Sequence, residues 1–97
     1  MIETSDVSHP SKRFYIYILQ SCVDQGLYIG YSTDLKQRLM SHQRGEVRST
    51  KIRKPFKLIH YEYFINSNDA KSRERYLKSG YGRDQLKQFL KNTLLNT

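Results

Sequence analysis

Two tyrosines, an arginine, a histidine and a glutamate carry the chemistry this sequence offers. On a helix that opens at Leu35, a turn of about 100° per residue sets Arg38 and His42 side by side on the flank of an apolar stripe formed by Leu35 and Leu39. A cation and an imidazole then face the end of the preceding strand, which carries Tyr28. They are either boundary residues with solvated tips or a functional pair. Tyr17, one strand earlier, shares a sheet face with Tyr28 if the two are paired or offset by an even step. Glu74 interrupts the stripe of Ala70, Leu77 and Tyr81 on a later helix. A buried carboxylate costs several kcal/mol unless a cation compensates it. Two compensations stand open: an ion pair with Arg38 or Arg73, or a divalent cation.

These groups need a sheet and helices to position them. Residues 14–19, Phe-Tyr-Ile-Tyr-Ile-Leu, are β-branched and aromatic and form a first strand, with Phe14, Ile16 and Ile18 on one face and Tyr15, Tyr17 and Leu19 on the other. Asp24, Gln25 and Gly26 end a turn into a second strand over 27–31. Asp34 caps the helix that follows, and Gln37, three residues on, completes a capping box. After Pro55, residues 56–65 are dense in apolar and aromatic types, which suits a central strand covered on both faces. Asn66 to Asp69 supply a turn and cap, a helix is expected over 70–79 closed by Gly80, and Tyr81 and Gly82 form a linker. A last helix over 83–95 turns Leu86, Phe89, Leu90 and Leu94 inward as a lid. Residues 1–12 show no periodicity and are expected to be a mobile tail, leaving a domain over 13–97.

A chain of 97 residues makes one small domain, burying roughly 60–65% of its unfolded surface. The single Cys22 excludes an internal disulfide, and with scattered histidines it makes no zinc signature. No apolar run approaches the ~20 residues of a membrane span, and no signal-peptide core opens the chain, so the cytoplasm is the expected compartment. The net charge of +8 points to a polyanionic partner. That charge is concentrated: Arg44, Arg48, Lys51, Arg53, Lys54 and Lys57 stand against a single acid, Glu46. Such a run is either a solvated loop or a phosphate-contacting one, and the second reading is preferred.

Tyr15-Ile16-Tyr17, then Tyr28-Ile29-Gly30, then Arg38, His42 and the late helical Glu74 together resemble the GIY-YIG nuclease superfamily. The resemblance spans about residues 14–80 and is closest to the small stand-alone bacterial, excinuclease-like members. The first motif glycine is replaced by Tyr15, as in that group. The resemblance implies an α+β domain with a three-stranded antiparallel sheet flanked by helices. It further implies hydrolysis of DNA phosphodiesters with one divalent metal, Mg²⁺ or Mn²⁺.

By position, Tyr17 and Tyr28 match the two motif tyrosines, Arg38 the helix arginine, His42 the polar residue after it, and Glu74 the metal-binding glutamate. In that scheme the Arg38 fork grips the phosphate. Tyr28, alone or with Tyr17, orients or deprotonates water, and His42 is a base or a phosphate ligand. Arg48, Lys51, Arg53 and Lys54 position the nucleic-acid backbone without reading sequence. The implied activity is a metal-dependent endonuclease of low sequence preference in repair or recombination, monomeric, with a partner protein available for targeting. The alternative is a weak or inactive nucleic-acid-binding module of the same fold.

Overall fold

The computed structural model describes residues 12–95. The expected tail lies outside the described residues except for Lys12. The elements run β1 (Phe14–Ser21), β2 (Leu27–Ser32), α1 (Leu35–Gln43), a short 3₁₀ turn (Lys51–Arg53), β3 (Phe56–Phe64), α2 (Ser67–Lys78), α3 (Gly80–Phe89) and α4 (Lys91–Leu95). The three strands form one antiparallel sheet in the order β2-β1-β3, the α+β architecture expected.

Strand alternation sorts the side chains into two layers. On one face Ile16, Ile18 and Ile29 pack with Ala70 and Leu77 of α2, Leu86 of α3 and Leu90 beyond it. This is the apolar core. On the other face, Tyr17 meets the ring of His42 from α1, and Tyr28 does so as well. The sheet therefore separates the core from a polar layer roofed by α1.

Three expectations are corrected. β3 is an edge strand, because β1 pairs with both neighbours. Its apolar density misled because tyrosine counts as apolar while tolerating water: Tyr61 and Tyr63 remain 52% and 47% exposed on the α1 side. A register shift between Ile18 and Leu19 inserts Ile59, which packs against the core.

The second correction concerns the helix boundaries. Asn66 accepts from the amides of Asn68 and Asp69, so α2 starts earlier than expected. Ser79 ends it and caps α3 by accepting from the Gly82 amide, so Gly80 opens a helix instead of closing one. Gly82 is the glycine that packing requires, since a Cβ there would fall on the Tyr76 carbonyl. The lid helix breaks at Leu90, dividing it into α3 and α4.

The third concerns the inward faces. Tyr81 and Phe89 are exposed, and Phe89 rests edge-on against His60. Among the described residues, no helix is long and apolar enough to cross a membrane.

Candidate active site

The β1–β2 register sets Tyr17 opposite Gly30 and Leu19 opposite Tyr28, so the two motif tyrosines share a face with an offset of two residues. Their ring centroids lie 6.1 Å apart. Gly30 makes room for this: a Cβ at that position would overlap the Tyr17 ring and hydroxyl. The glycine after Tyr28-Ile29 thus serves the other tyrosine.

Asp34 caps α1 through the Gln37 amide, which fixes the helix on the polar face. Arg38 and His42, one turn apart, both reach Tyr17. Arg38 Nε donates to the Tyr17 hydroxyl at 3.3 Å, and that hydroxyl lies 2.8 Å from His42 Nε2. Past the helix, Gly45 takes φ +75, and the amides of Gly45 and Glu46 bond back to His42 and Ser41. The reversal brings Thr50 under the imidazole, its hydroxyl 2.8 Å from Nδ1.

The direction of the chain follows from its far end. Thr50 donates to the Val47 carbonyl at 3.3 Å, so its oxygen accepts from His42 Nδ1–H. Nε2 is then the acceptor, and Tyr17 donates to it. Arg38, Tyr17, His42, Thr50 and a main-chain carbonyl form a single head-to-tail series. Tyr17 is 0% and His42 2% exposed. Burial pushes the Tyr17 hydroxyl up to about 12 against the pull of Arg38. Burial, with the Arg38 charge adding to it, depresses His42 to about 4. Both groups are neutral near pH 7, as the series requires.

Tyr28 is half-exposed and acts electrostatically on both Tyr17 and Arg38. Of the two motif tyrosines it is the one open to solvent.

Glu74 stands apart from this group. Neither Arg38 nor Arg73 compensates it; it lies at the margin of the α2 stripe, half-buried, and accepts from Lys78 at 2.9 Å. Arg73 instead forks onto Glu62 of β3 at 3.0 and 3.1 Å. His60 joins that carboxylate at 3.0 Å. Burial pushes Glu62 up, but Arg73 and His60 outweigh it and hold the carboxyl below its usual range. With Ala70 and Leu77 facing the sheet, Arg73 falls on the β3 side of α2 and Glu74 on the opposite flank. Lys71, one turn before Glu74, lies over the Tyr31 ring of β2 at 5.8 Å. Glu74 thus lies on the β2 flank of α2.

The basic loop divides in two. Arg48, Lys51 and Lys54 are exposed. Arg53 is engaged: it forks onto Asp24 at 3.1 and 3.3 Å and covers the Phe56 ring, tying the loop to the β1–β2 turn. Thr50 was missed in the sequence. It sits among cations in a segment without periodicity, and nothing local marks it as the support of an imidazole eight residues earlier.

The GIY-YIG catalytic domain family matches residues 13–88. A UPF0213 protein of Lactococcus lactis subsp. cremoris (strain SK11) is 44% identical over 82 residues, covering 84% of this chain and 83% of the relative. A UPF0213 protein of Pediococcus acidilactici is 43% identical over 82 residues, covering 81% of this chain and 82% of the relative. The solution NMR structure of the UPF0213 protein BH0048 from Bacillus halodurans is similar with a TM-score of 0.52 and 31% identity, over 79% of this chain and 84% of that one. With its sheet, its paired tyrosines and its helix arginine in the family's order, this chain belongs to the GIY-YIG nuclease superfamily, in the group of small stand-alone members.

Proposed function

We propose that this chain is a metal-dependent endonuclease that hydrolyses DNA phosphodiesters of little sequence preference, in repair or recombination. The observation that carries the reading is the buried series that fixes Arg38 beside half-exposed Tyr28. A guanidinium held through Nε keeps its terminal nitrogens for a phosphate, whose geometry the fork matches. Preorganised charge of this kind lowers the barrier because it need not reorganise as negative charge develops.

The burial values divide the labour. Tyr28 is the group that meets the attacking water, and Arg38 the group that meets the phosphate. Tyr17 and His42 are positioning residues: closed off from solvent, they hold Arg38 at the correct reach. Arg48, Lys51 and Lys54 contact the backbone of the nucleic acid, while Arg53 supports the loop that presents them.

A divalent cation such as Mg²⁺ fits Glu74 as a one-carboxylate site. Mg²⁺ binds through one or two carboxylates and otherwise keeps waters and substrate phosphates. Among the described residues Glu74 has a competing partner in Lys78, through an i,i+4 pair of the kind worth about 0.3–0.5 kcal/mol. Bound there, the cation supplies positive charge to the phosphoryl oxygens. Among the described residues, no cluster of three or more His, Cys, Asp or Glu offers an all-protein cage instead.

The test is cleavage of labelled duplex, single-stranded and branched DNA with Mg²⁺, Mn²⁺ or EDTA, comparing the parent with Arg38→Ala and Glu74→Gln. The expected result is metal-dependent cutting that falls by about 10²-fold or more in Arg38→Ala and loses its metal response in Glu74→Gln. The pairing of Glu74 with Lys78 favours a second reading, a binding module without catalysis. Salt-steep DNA binding with no cutting by the parent would establish that reading instead.

A further inference from the structure

Beside the site lies a surface that neither the catalytic residues nor the basic loop accounts for. Tyr61 is the register partner of Tyr17 on β3, and Tyr63 that of Tyr15. Side-chain alternation therefore brings Tyr15, Tyr61 and Tyr63 onto the same sheet face as Tyr17, and opposed residues sit only about 4.5–5.5 Å apart at Cα. The Tyr15 ring lies 6.1 Å from Tyr61 and 6.2 Å from Tyr63. Half of each β3 ring is open to solvent. A contiguous apolar patch left open on a sheet face is the kind of surface that marks an interaction site.

The surroundings identify the occupant. Between β3 and α1 run two recesses of about 530 Å³ each, divided by Leu39 and Gln43. Tyr15, Tyr61 and Lys36 line one; Phe56, Lys54 and His42 line the other. Arg13 lies over the Tyr63 ring at 5.1 Å, and its buried Nε has no hydrogen-bond partner among the described residues. The acid at this rim, Asp34, is occupied in capping α1. Half-exposed tyrosine rings flanked by Lys36, Lys54 and Arg13 fit a polyanion with flat, exposed rings.

We propose that the β3–α1 groove binds single-stranded DNA, with unpaired bases stacked on Tyr61 and Tyr63 and the backbone passing Lys36 and Lys54. Duplex bases are already stacked and paired and cannot present their faces to a sheet. Phosphate contacts do not distinguish strandedness; the platform does. The proposal rests on the nuclease reading, in that the platform sets an unpaired nucleotide next to the phosphate held by Arg38.

The test is binding, measured by fluorescence anisotropy in EDTA so that cutting plays no part. Labelled single-stranded DNA, duplex DNA and single-stranded RNA of one sequence are titrated with the full chain, with Tyr61→Ala/Tyr63→Ala, and with Tyr61→Phe/Tyr63→Phe. Both positions are exposed, and unchanged thermal melts confirm that each variant folds. The alanine pair should bind single-stranded DNA ~10-fold or more weakly and leave duplex binding within about twofold, while the phenylalanine pair keeps parental affinity. Equal single-strand affinity in parent and alanine pair, an equal loss on duplex, or tighter binding of RNA than of DNA would overturn the proposal. If the alanine pair loses single-strand affinity while the parent cuts no DNA with any metal, the platform stands and the nuclease reading falls.

Discussion

The Tyr17 hydroxyl lies 2.8 Å from His42 Nε2, and the opposite ring nitrogen lies 2.8 Å from the Thr50 hydroxyl. The imidazole is thus pinned at both nitrogens inside the protein, and the bond from Tyr17 needs it neutral, because Nε2 must accept. Protonation would place a second donor against Tyr17 in a buried space already facing Arg38.

A pH dependence of stability follows. The folded His42 sits at about 4, below the 6.5 of an unperturbed histidine. Between these values the unfolded chain binds more protons than the folded one, so stability rises with pH. The contribution is complete above about pH 6.5 and lost as pH falls towards 4. Glu62, also depressed, acts only below its ordinary 4.5, so the upper window belongs to His42. Thermal melts from pH 4 to 8 should show Tm dropping below pH 6.5 in the parent, each ~1 kcal/mol appearing as about 4–8 °C. His42→Gln should melt lower at pH 7 and show a flatter profile across that window. An identical slope in both proteins would assign the proton uptake elsewhere.

Removing the Tyr17 hydroxyl separates its positioning role from direct chemistry. Tyr17→Phe leaves the buried His42 Nε2 without a donor, a loss of about 1–3 kcal/mol, and releases Arg38 Nε. Melts should show the destabilisation. Cleavage should fall by about 10²-fold, the scale expected when a catalytic group is misplaced by an ångström, with DNA affinity nearly unchanged. Tyr28→Phe should lower cleavage with a smaller change in Tm than Tyr17→Phe, because its partly exposed hydroxyl can exchange its protein partners for water.

Much of this arrangement was legible in the sequence, because it rests on local geometry. The 100° turn of α1 puts Arg38 and His42 on one flank, and the period of two puts Tyr17 with Tyr28 once the offset is even; both rules are steric and act within one element or one hairpin. What escaped depended on tertiary pairing. The edge position of β3 is set by which strand β1 accepts on its second side, and composition does not encode that choice. Glu74 fell in the apolar stripe by periodicity, yet the packing of Ala70 and Leu77 on the sheet gives Arg73 to Glu62 and leaves Glu74 on the β2 flank with Lys78. Thr50 was hidden for the same reason: its role exists only after Gly45 reverses the chain.

Gly30 makes a sharper test of the motif than any of its tyrosines. A Cβ there would overlap the Tyr17 ring, and that ring is held between Arg38 and His42 with no open side. Gly30→Ala should therefore behave as an overpacked core substitution, destabilising by about 1–3 kcal/mol. Cleavage should fall with it, since the displaced ring carries Arg38. Gly80→Ala, where a Cβ meets nothing within 4 Å, is the control and should hold both Tm and activity. Equal tolerance at the two glycines would mean that the Tyr17 ring has freedom that its hydrogen bonds do not indicate.

The cation reading of Glu74 is best tested through its neighbour. Lys78 donates to the Glu74 carboxylate at 2.9 Å while half exposed. It competes with any metal there, but weakly, as i,i+4 pairs are worth about 0.3–0.5 kcal/mol. Lys78→Ala should lower the Mg²⁺ concentration that half-saturates cleavage by about twofold, the factor that this energy sets, and leave the maximal rate unchanged. Glu74→Gln should remove the saturable response altogether. If Lys78→Ala leaves the Mg²⁺ curve in place while Glu74→Gln still cuts, the cation is held without Glu74, and the glutamate's role is to pair with Lys78 on the surface of α2.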